Sequence, residues 1–143
     1  MPQEGYPQYM NYALFLDDDR VRHARFRARI EAVGFARRHQ VLYAFTAADA
    51  IDALRTHEGA IITAFLDHDL CEDDHWVLPG APSKVPTGMV VVDHIVTMRQ
   101  PPAVITVHSF NYHAALEMCS RLSALPRVAV KHIPFTQLLG QLV

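Results

Sequence analysis

The sequence predicts an α/β fold, a doubly wound sheet of five parallel strands, and three observations predict it. Short apolar runs such as Tyr12 to Leu16 (YALFL), Ala60 to Leu66 (AIITAFL) and Ala103 to Val107 (AVITV) lack the alternation of a half-solvated strand. They read as strands buried on both faces. Between the runs lie segments with helical spacing of apolar residues, so strands and helices alternate, which implies a parallel sheet covered on both sides. Finally, the runs end abruptly in polar or charged residues, as strands do when they lead into a functional loop. Right-handed crossovers then make the sheet doubly wound.

Taken in order, residues 1–10 are rich in Pro, Gln and Tyr and read as an irregular arm, and residues 11–143 as a single domain. The first strand, Tyr12 to Leu16, runs into Asp17-Asp18-Asp19. Arg20 to Val33 reads as a helix, with Val21, Ala24, Ala28 and Ala32 near helical spacing and Gly34 as its stop. Gln40 to Phe45 is the second strand. Thr46 caps a helix over Ala47 to His57, with Asp49 in its first turn and Gly59 beyond its end. The third strand, Ala60 to Leu66, also ends in acid, at Asp67-His68-Asp69.

Residues 70–87 hold three prolines and several acids and read as one long loop, a length that in a compact domain signals function. Thr87-Gly88 opens a helix through Arg99, with Val92, Ile95 and Val96 on its apolar face. The fourth strand, Ala103 to Val107, ends in His108-Ser109. Asn111 to Leu125 is a helix with Leu116, Cys119 and Leu122 at core spacing. Arg127 to Val130 is the fifth strand, ending in Lys131, and Pro134 to Leu142 is a last short helix.

The bulk numbers narrow the function classes. A chain of 143 residues, half of them hydrophobic, buries a real core and is not disordered over most of its length. No apolar run approaches the roughly 18–20 residues that cross a bilayer, and the first residues lack the shape of a secretory signal. Cys71 and Cys119 have no metal-type spacing and read as reduced thiols of a cytoplasmic protein. A formal net charge of −2 argues against a general polyanion binder. Its distribution is uneven: Arg20, Arg22, Arg25, Arg27, Arg29, Arg37 and Arg38 crowd one stretch, and acids cluster at 17–19 and 67–74. The arginines at 20, 22, 25, 27 and 29 share no single helical face, so a solvated helix is the plainer account. Attraction of an RNA or nucleotide phosphate is the other. Trp76, alone in the long loop, reads either as a lid that stacks on a base or as a residue tucked onto the core.

Ligands of open α/β sheets bind beyond the carboxyl ends of the strands, and four of the five strands deliver polar groups there. Each piece alone has an ordinary structural reading. Paired aspartates after a strand usually serve turns and caps, Lys131 alone suits a solvated end, and single histidines are commonly structural. Together they describe a site. Carboxylates converging from two strands stay ionised best around a cation, and hard oxygen donors without cysteine favour Mg²⁺ or Mn²⁺. A hydroxyl and a lysine opposite that metal suit a phosphoryl group, whose charge is neutralised from several sides.

These residues resemble the receiver domains of two-component signalling over residues 12–142. The resemblance implies a flavodoxin- or receiver-like three-layer sandwich, with Asp17 and Asp18 as the metal pair and Asp67 at the phosphoacceptor position. It puts Ser109 at the hydroxyl position and Lys131 at the cation position, with Pro134-Phe135 following after two extra residues. The departures point to one branch. FLDDDR, LDHDL, Thr87-Gly88 and VHSFN together resemble the cyclic-phosphate-processing receiver domains. That implies a metal-dependent phosphohydrolase acting on a cyclic phosphate at an RNA end or in a cyclic nucleotide. On this reading Asp17, Asp18, Asp67 and Asp69 hold the metal, directly or through water. Ser109 and Lys131 steady the phosphate, His108 or His68 moves protons, Asn111 orients substrate or a histidine, and Arg20, Thr87 and Gly88 contact substrate.

Two rivals stand beside it. One is a receiver-like signalling or interaction module with Asp67 as phosphoacceptor. The other is a haloacid-dehalogenase-like phosphatase, with Asp17 as nucleophile and Asp19 as acid/base. The arginine-rich helix directly after the aspartates, where that class carries a compact flap, argues against it. Asp19 reads better as a helix cap than as a ligand.

Overall fold

The computed structural model describes residues 11–70 and 86–143. The arm at 1–10 and, within the 70–87 loop, residues 71–85 with Cys71 and Trp76 lie outside the described residues.

The strands are β1 (Asn11–Leu16), β2 (His39–Ala44), β3 (Ile61–Leu66), β4 (Val104–Val107) and β5 (Ala129–His132). The helices are α1 (Arg20–Val33), α2 (Phe35–Arg38), α3 (Ala47–Thr56), α4 (Gly88–Ile95), α5 (Tyr112–Leu122) and α6 (Phe135–Gln141). All strand pairs are parallel, in the order β2-β1-β3-β4-β5. This is the predicted doubly wound sheet in the flavodoxin-like order, whose switch point lies between β1 and β3.

Successive residues of a strand face opposite sides of the sheet, and each side has its own core. Leu14, Leu16, Ala64, Leu66, Ile105 and Val107 pack with α3, α4 and α5. Ala13, Phe15 and Phe65 pack with Phe26, Ile30, Phe35, Phe135 and Leu138 from α1, α2 and α6. The central strands are apolar on both sides, which is why no alternation was visible in their sequence.

Several expected boundaries move. Gly34 does end α1, in the left-handed conformation at φ 88°, but α2 follows it at once, an element the sequence did not announce. The α4 helix stops at Ile95 rather than at Arg99. Thr97 and Met98 fall into three-residue turns on His94 and Ile95, and Glu58 accepts the next two N–H groups, those of Arg99 and Gln100, at 3.0 and 3.2 Å. On α5 the buried face is Ala115, Met118 and Leu122, and Leu116 is exposed. Leu122 is at its predicted core position, while the other two core positions fall one residue earlier than Leu116 and Cys119, about 100° on a helix. Among the described residues no helix is long and apolar enough to cross a membrane.

Candidate metal and phosphate site

The sheet's hydrogen bonding runs one residue past the strands and so aligns the strand ends. Asp17 N–H donates to the Ala44 carbonyl at 3.1 Å and Asp67 N–H to that of Leu16 at 3.2 Å. His108 N–H donates to the Leu66 carbonyl and Ile133 N–H to that of Val107, both at 2.9 Å. Asp17, Asp67, His108 and Ile133 therefore stand side by side on one rim.

Asp17, Asp18 and Asp67 each offer an oxygen, and the three oxygens lie within 4.8 Å of one another. Between them lies Arg22, a residue with no expected role in the site. Its Nε donates to Asp17 Oδ2 at 2.7 Å and its Nη2 to Asp17 Oδ1 at 2.9 Å, a bidentate fork. The same Nη2 lies 3.5 Å from Asp18 Oδ1 and 3.7 Å from Asp67 Oδ2. Helical side chains tilt toward the N-terminus, so an arginine three residues after an N-cap beside an acidic loop points back into that loop. That spacing in Asp17-Asp18-Asp19-Arg20-Val21-Arg22 was the available signal.

Even with this guanidinium present, negative charge is in excess. Burial, and after it the charge of Asp17, pushes the Asp67 carboxyl up to about 7. A cluster that holds one of its acids protonated near neutral pH suits a cation of higher charge, and its all-oxygen donors fit Mg²⁺ or Mn²⁺.

Asp17 is fixed from several directions. Asp19 N–H donates to its Oδ1 at 2.8 Å, and His23 Nε2 donates to its backbone carbonyl at 2.7 Å. Asp19 itself caps α1, accepting from Val21 and Arg22 N–H at 2.7 and 3.1 Å. A capping carboxylate is spoken for, so the acid/base role that the dehalogenase-like reading needs from Asp19 has no geometry here.

The two histidines of the rim separate cleanly. His108 is 1% exposed, its ring lies parallel to Phe15 at 5.2 Å, and its Nε2 donates to the Leu16 carbonyl at 3.1 Å. Burial holds it down to about 3, so near neutral pH it is an uncharged strut that ties β4 to β1. The expected proton-transfer role for His108 is corrected on that ground. His68 is half-buried, and its Nδ1 meets Asp69 Oδ1 at 2.6 Å. Asn111 Nδ2 donates to that same oxygen at 3.3 Å while Asn111 Oδ1 caps α5 on Ala114 N–H. Asn111 thus orients His68 through Asp69.

Asp69 is placed apart from the three-carboxylate cluster and is largely exposed. Ser109 is 1% exposed, and its Oγ accepts from Asn111 N–H at 3.0 Å. The serine shapes the turn before α5.

Lys131 does not reach the rim. It pairs with Thr106 inside β5, and the level of Asp67 and His108 is taken by Ile133. The strand runs on through His132, so Lys131 lies two positions back from Ile133, roughly 6–7 Å. Among the described residues no ion pair joins it to Asp17, Asp18 or Asp67. It lines a cavity of about 270 Å³ with Arg38, His39 and Phe65.

Arg20 is exposed, its guanidinium carbon 5.9 Å from the Phe45 ring centre, at the edge of the rim rather than in the carboxylate cluster. Thr87 caps α4, accepting from Met89 N–H at 3.2 Å. Gly88 is buried, and its N–H donates to the His68 carbonyl at 2.8 Å. A Cβ there would stand 1.9 Å from the Asp67 carbonyl oxygen. The glycine serves close packing behind Asp67, and a substrate contact for it is set aside.

The other arginines of the stretch are not idle solvent charges. Arg25 lies over Phe135 and Arg27 over Tyr43, Arg29 donates to the Leu139 carbonyl at 2.7 Å and Arg38 to that of Val143 at 2.5 Å. Arg25 and Arg27 nevertheless stay exposed, so α1 keeps the solvated face expected from the scatter of its arginines, with these contacts made along the surface.

The family model of the cyclic-phosphate processing receiver domain matches residues 12–124. No curated protein matches the chain. Among solved structures, the chain is similar to a CheY-like response regulator receiver domain from Methylobacillus flagellatus (TM-score 0.58, 14% identity, 90% of this chain and 92% of that one). It is also similar to the non-phosphorylated receiver domain of the stress response regulator RcsB from Escherichia coli (TM-score 0.60, 15% identity, 89% and 82%). A third is the phosphorylated cyanobacterial phytochrome response regulator RcpA (TM-score 0.58, 16% identity, 92% and 87%). At these identities the likeness establishes the fold alone, and that fold is the receiver fold.

Proposed function

The chain belongs to the cyclic-phosphate processing receiver domain family, and from that premise we propose that it is a divalent-metal-dependent phosphohydrolase that opens a cyclic phosphodiester. One observation carries the reading: three carboxylates from two strand ends converge beside an arginine, with an oriented histidine next to them on the rim.

In the proposed reaction a water oxygen attacks phosphorus, one P–O ester bond of the ring breaks, and a phosphomonoester remains. Asp17, Asp18 and Asp67 are the residues that would hold Mg²⁺ or Mn²⁺. When bound, the metal neutralises phosphate charge and acidifies a bound water. The chain's own groups supply the rest. Arg22 provides the cation that the phosphate needs and that Lys131 is set too far back to give. His68, steered through Nδ1 by Asp69 and Asn111, presents its other ring nitrogen to take a proton from water and return one to the leaving oxygen. Phe45 and Arg20 border the rim and suit a stacked base, which favours a cyclic nucleotide or an RNA end as substrate. A reducing cytoplasm is the compartment that reading implies.

The test is a panel of cyclic phosphates incubated with Mg²⁺- or Mn²⁺-loaded protein, with mass detection of the ring-opened monoester. His68→Gln is expected to lower kcat by about 10²–10⁴. Lys131→Ala is expected to leave turnover within about twofold, as for a surface change. If no member of the panel opens and acetyl phosphate instead labels Asp67, the signalling-module reading takes its place.

A further inference from the structure

The Arg22 guanidinium occupies the space in which a cation shared by the three carboxylates would sit. Its Nη2 is 2.9, 3.5 and 3.7 Å from one oxygen each of Asp17, Asp18 and Asp67. The fork engages both oxygens of Asp17, and Asp17 Oδ1 also accepts from Asp19 N–H. A divalent ion and a guanidinium cannot share that centre, because they would overlap there and two cations a few ångströms apart repel strongly in a half-buried setting. Arg22 also has somewhere to go. It stands in the first turn of α1 with its side chain 27% exposed, and its Nη1 is 3.4 Å from Asp19 Oδ2, the more exposed carboxylate at the outer edge. Among the described residues no other lysine or arginine is ion-paired to Asp17 or Asp67.

We propose that Arg22 is an exchangeable counter-ion: it neutralises the cluster when no metal is bound, yields Asp17 to the incoming divalent cation, and then serves as the phosphate-binding cation at the rim. This rests on the metal-dependent reading above and adds an order of events to it. Three carboxylates and one divalent ion leave one negative charge, so an anionic phosphate would be repelled unless a tethered cation stayed close. Asp18 and Asp19 supply the tether. Metal and phosphate binding are then coupled through one side chain: the metal frees the group that the phosphate needs.

The experiment measures Mn²⁺ affinity by electron paramagnetic resonance on wild type, Arg22→Met and Arg22→Lys. Inorganic phosphate is then titrated into each at saturating Mn²⁺. Removing the competitor is expected to tighten Mn²⁺ binding about tenfold in Arg22→Met while weakening phosphate binding by a similar factor. Arg22→Lys keeps the charge and loses the fork, so it gains Mn²⁺ affinity and keeps part of the phosphate affinity. The lysine variant also decides the matter should the methionine variant fold poorly. Mn²⁺ binding that is unchanged or weaker in both variants would overturn the exchange and leave the metal-dependent reading intact. Tighter Mn²⁺ binding with unaltered phosphate affinity would overturn the phosphate half of the proposal. Absence of Mn²⁺ binding in every variant would overturn both readings.

Discussion

At pH 8 and without divalent metal, Asp67→Asn protein is expected to melt several degrees above wild type, and to gain nothing from added Mg²⁺ or Mn²⁺. The cause is the carboxyl's setting: buried, beside Asp17, and pushed up to about 7 from an ordinary 3.8. Between about pH 4 and 7 the unfolded chain has released this proton while the folded chain keeps it. The stability this group contributes is therefore complete below about 4 and is lost as pH rises through 7. At about 1.4 kcal/mol per pKa unit the loss is on the order of 4 kcal/mol by pH 8. Asparagine imitates the protonated acid and escapes the loss, so its advantage shrinks as the buffer is taken from pH 8 toward 5. Wild type recovers stability by binding metal, about 2.7 kcal/mol at a hundredfold excess over Kd, whereas the variant has given up one of three ligands. Thermal melts at both pH values, with EDTA and with Mn²⁺, read the effect. An Asp67→Asn protein that melts below wild type at pH 8 in EDTA would refute the crowded-carboxylate account.

Gly88→Ala is expected to damage both the fold and the site. The added Cβ would lie 1.9 Å from the Asp67 carbonyl oxygen and 3.0 Å from Asp67 C and His68 Cα. All three are backbone atoms, so no side chain can rotate away, and the start of α4 must move off the end of β3. Overpacking of this kind costs about 1–3 kcal/mol, occasionally more, which for a domain of this size lowers Tm by roughly 3–10 °C. Because the displaced backbone carries Asp67, Mn²⁺ affinity is expected to fall as well. Gly140→Ala is the control, since a Cβ there meets nothing within 4 Å and alanine favours the helix. Equal melting of Gly88→Ala and wild type would show that α4 has more freedom than its contacts imply.

The fold was legible because its signals are local. A strand buried on both faces is apolar at nearly every position, and Phe15, Phe65 and Leu66 show this without reference to any partner. Caps were equally readable: Thr46 accepts from Asp49 N–H and Asp19 from Val21 and Arg22 N–H because their side chains satisfy N–H groups two or three residues away. Asp17, Asp18 and Asp67 could be grouped because parallel strands deliver their ends to one rim, whatever the details of packing.

What escaped the sequence depends on register and on side-chain direction between elements far apart in the chain. Lys131 was read as the residue just past a strand ending at Val130, but β5 runs on through Lys131 to His132, and only its pairing with β4 shows which residue stands level with Asp67. His108 and His68 were indistinguishable as letters. Packing against Phe15 made one a neutral strut, and a link through Asp69 to Asn111, 42 residues away, fixed the orientation of the other. Arg22 was one arginine among seven until the turn of α1 aimed it into the carboxylates. The sequence by itself determined the sheet, its order of elements and the acidic rim, since burial and capping are enforced residue by residue. Which cation answers the acids, and which histidine is buried in the core, was decided by the tertiary structure. Those choices are made by distances of a few ångströms between side chains that the chain order does not bring together.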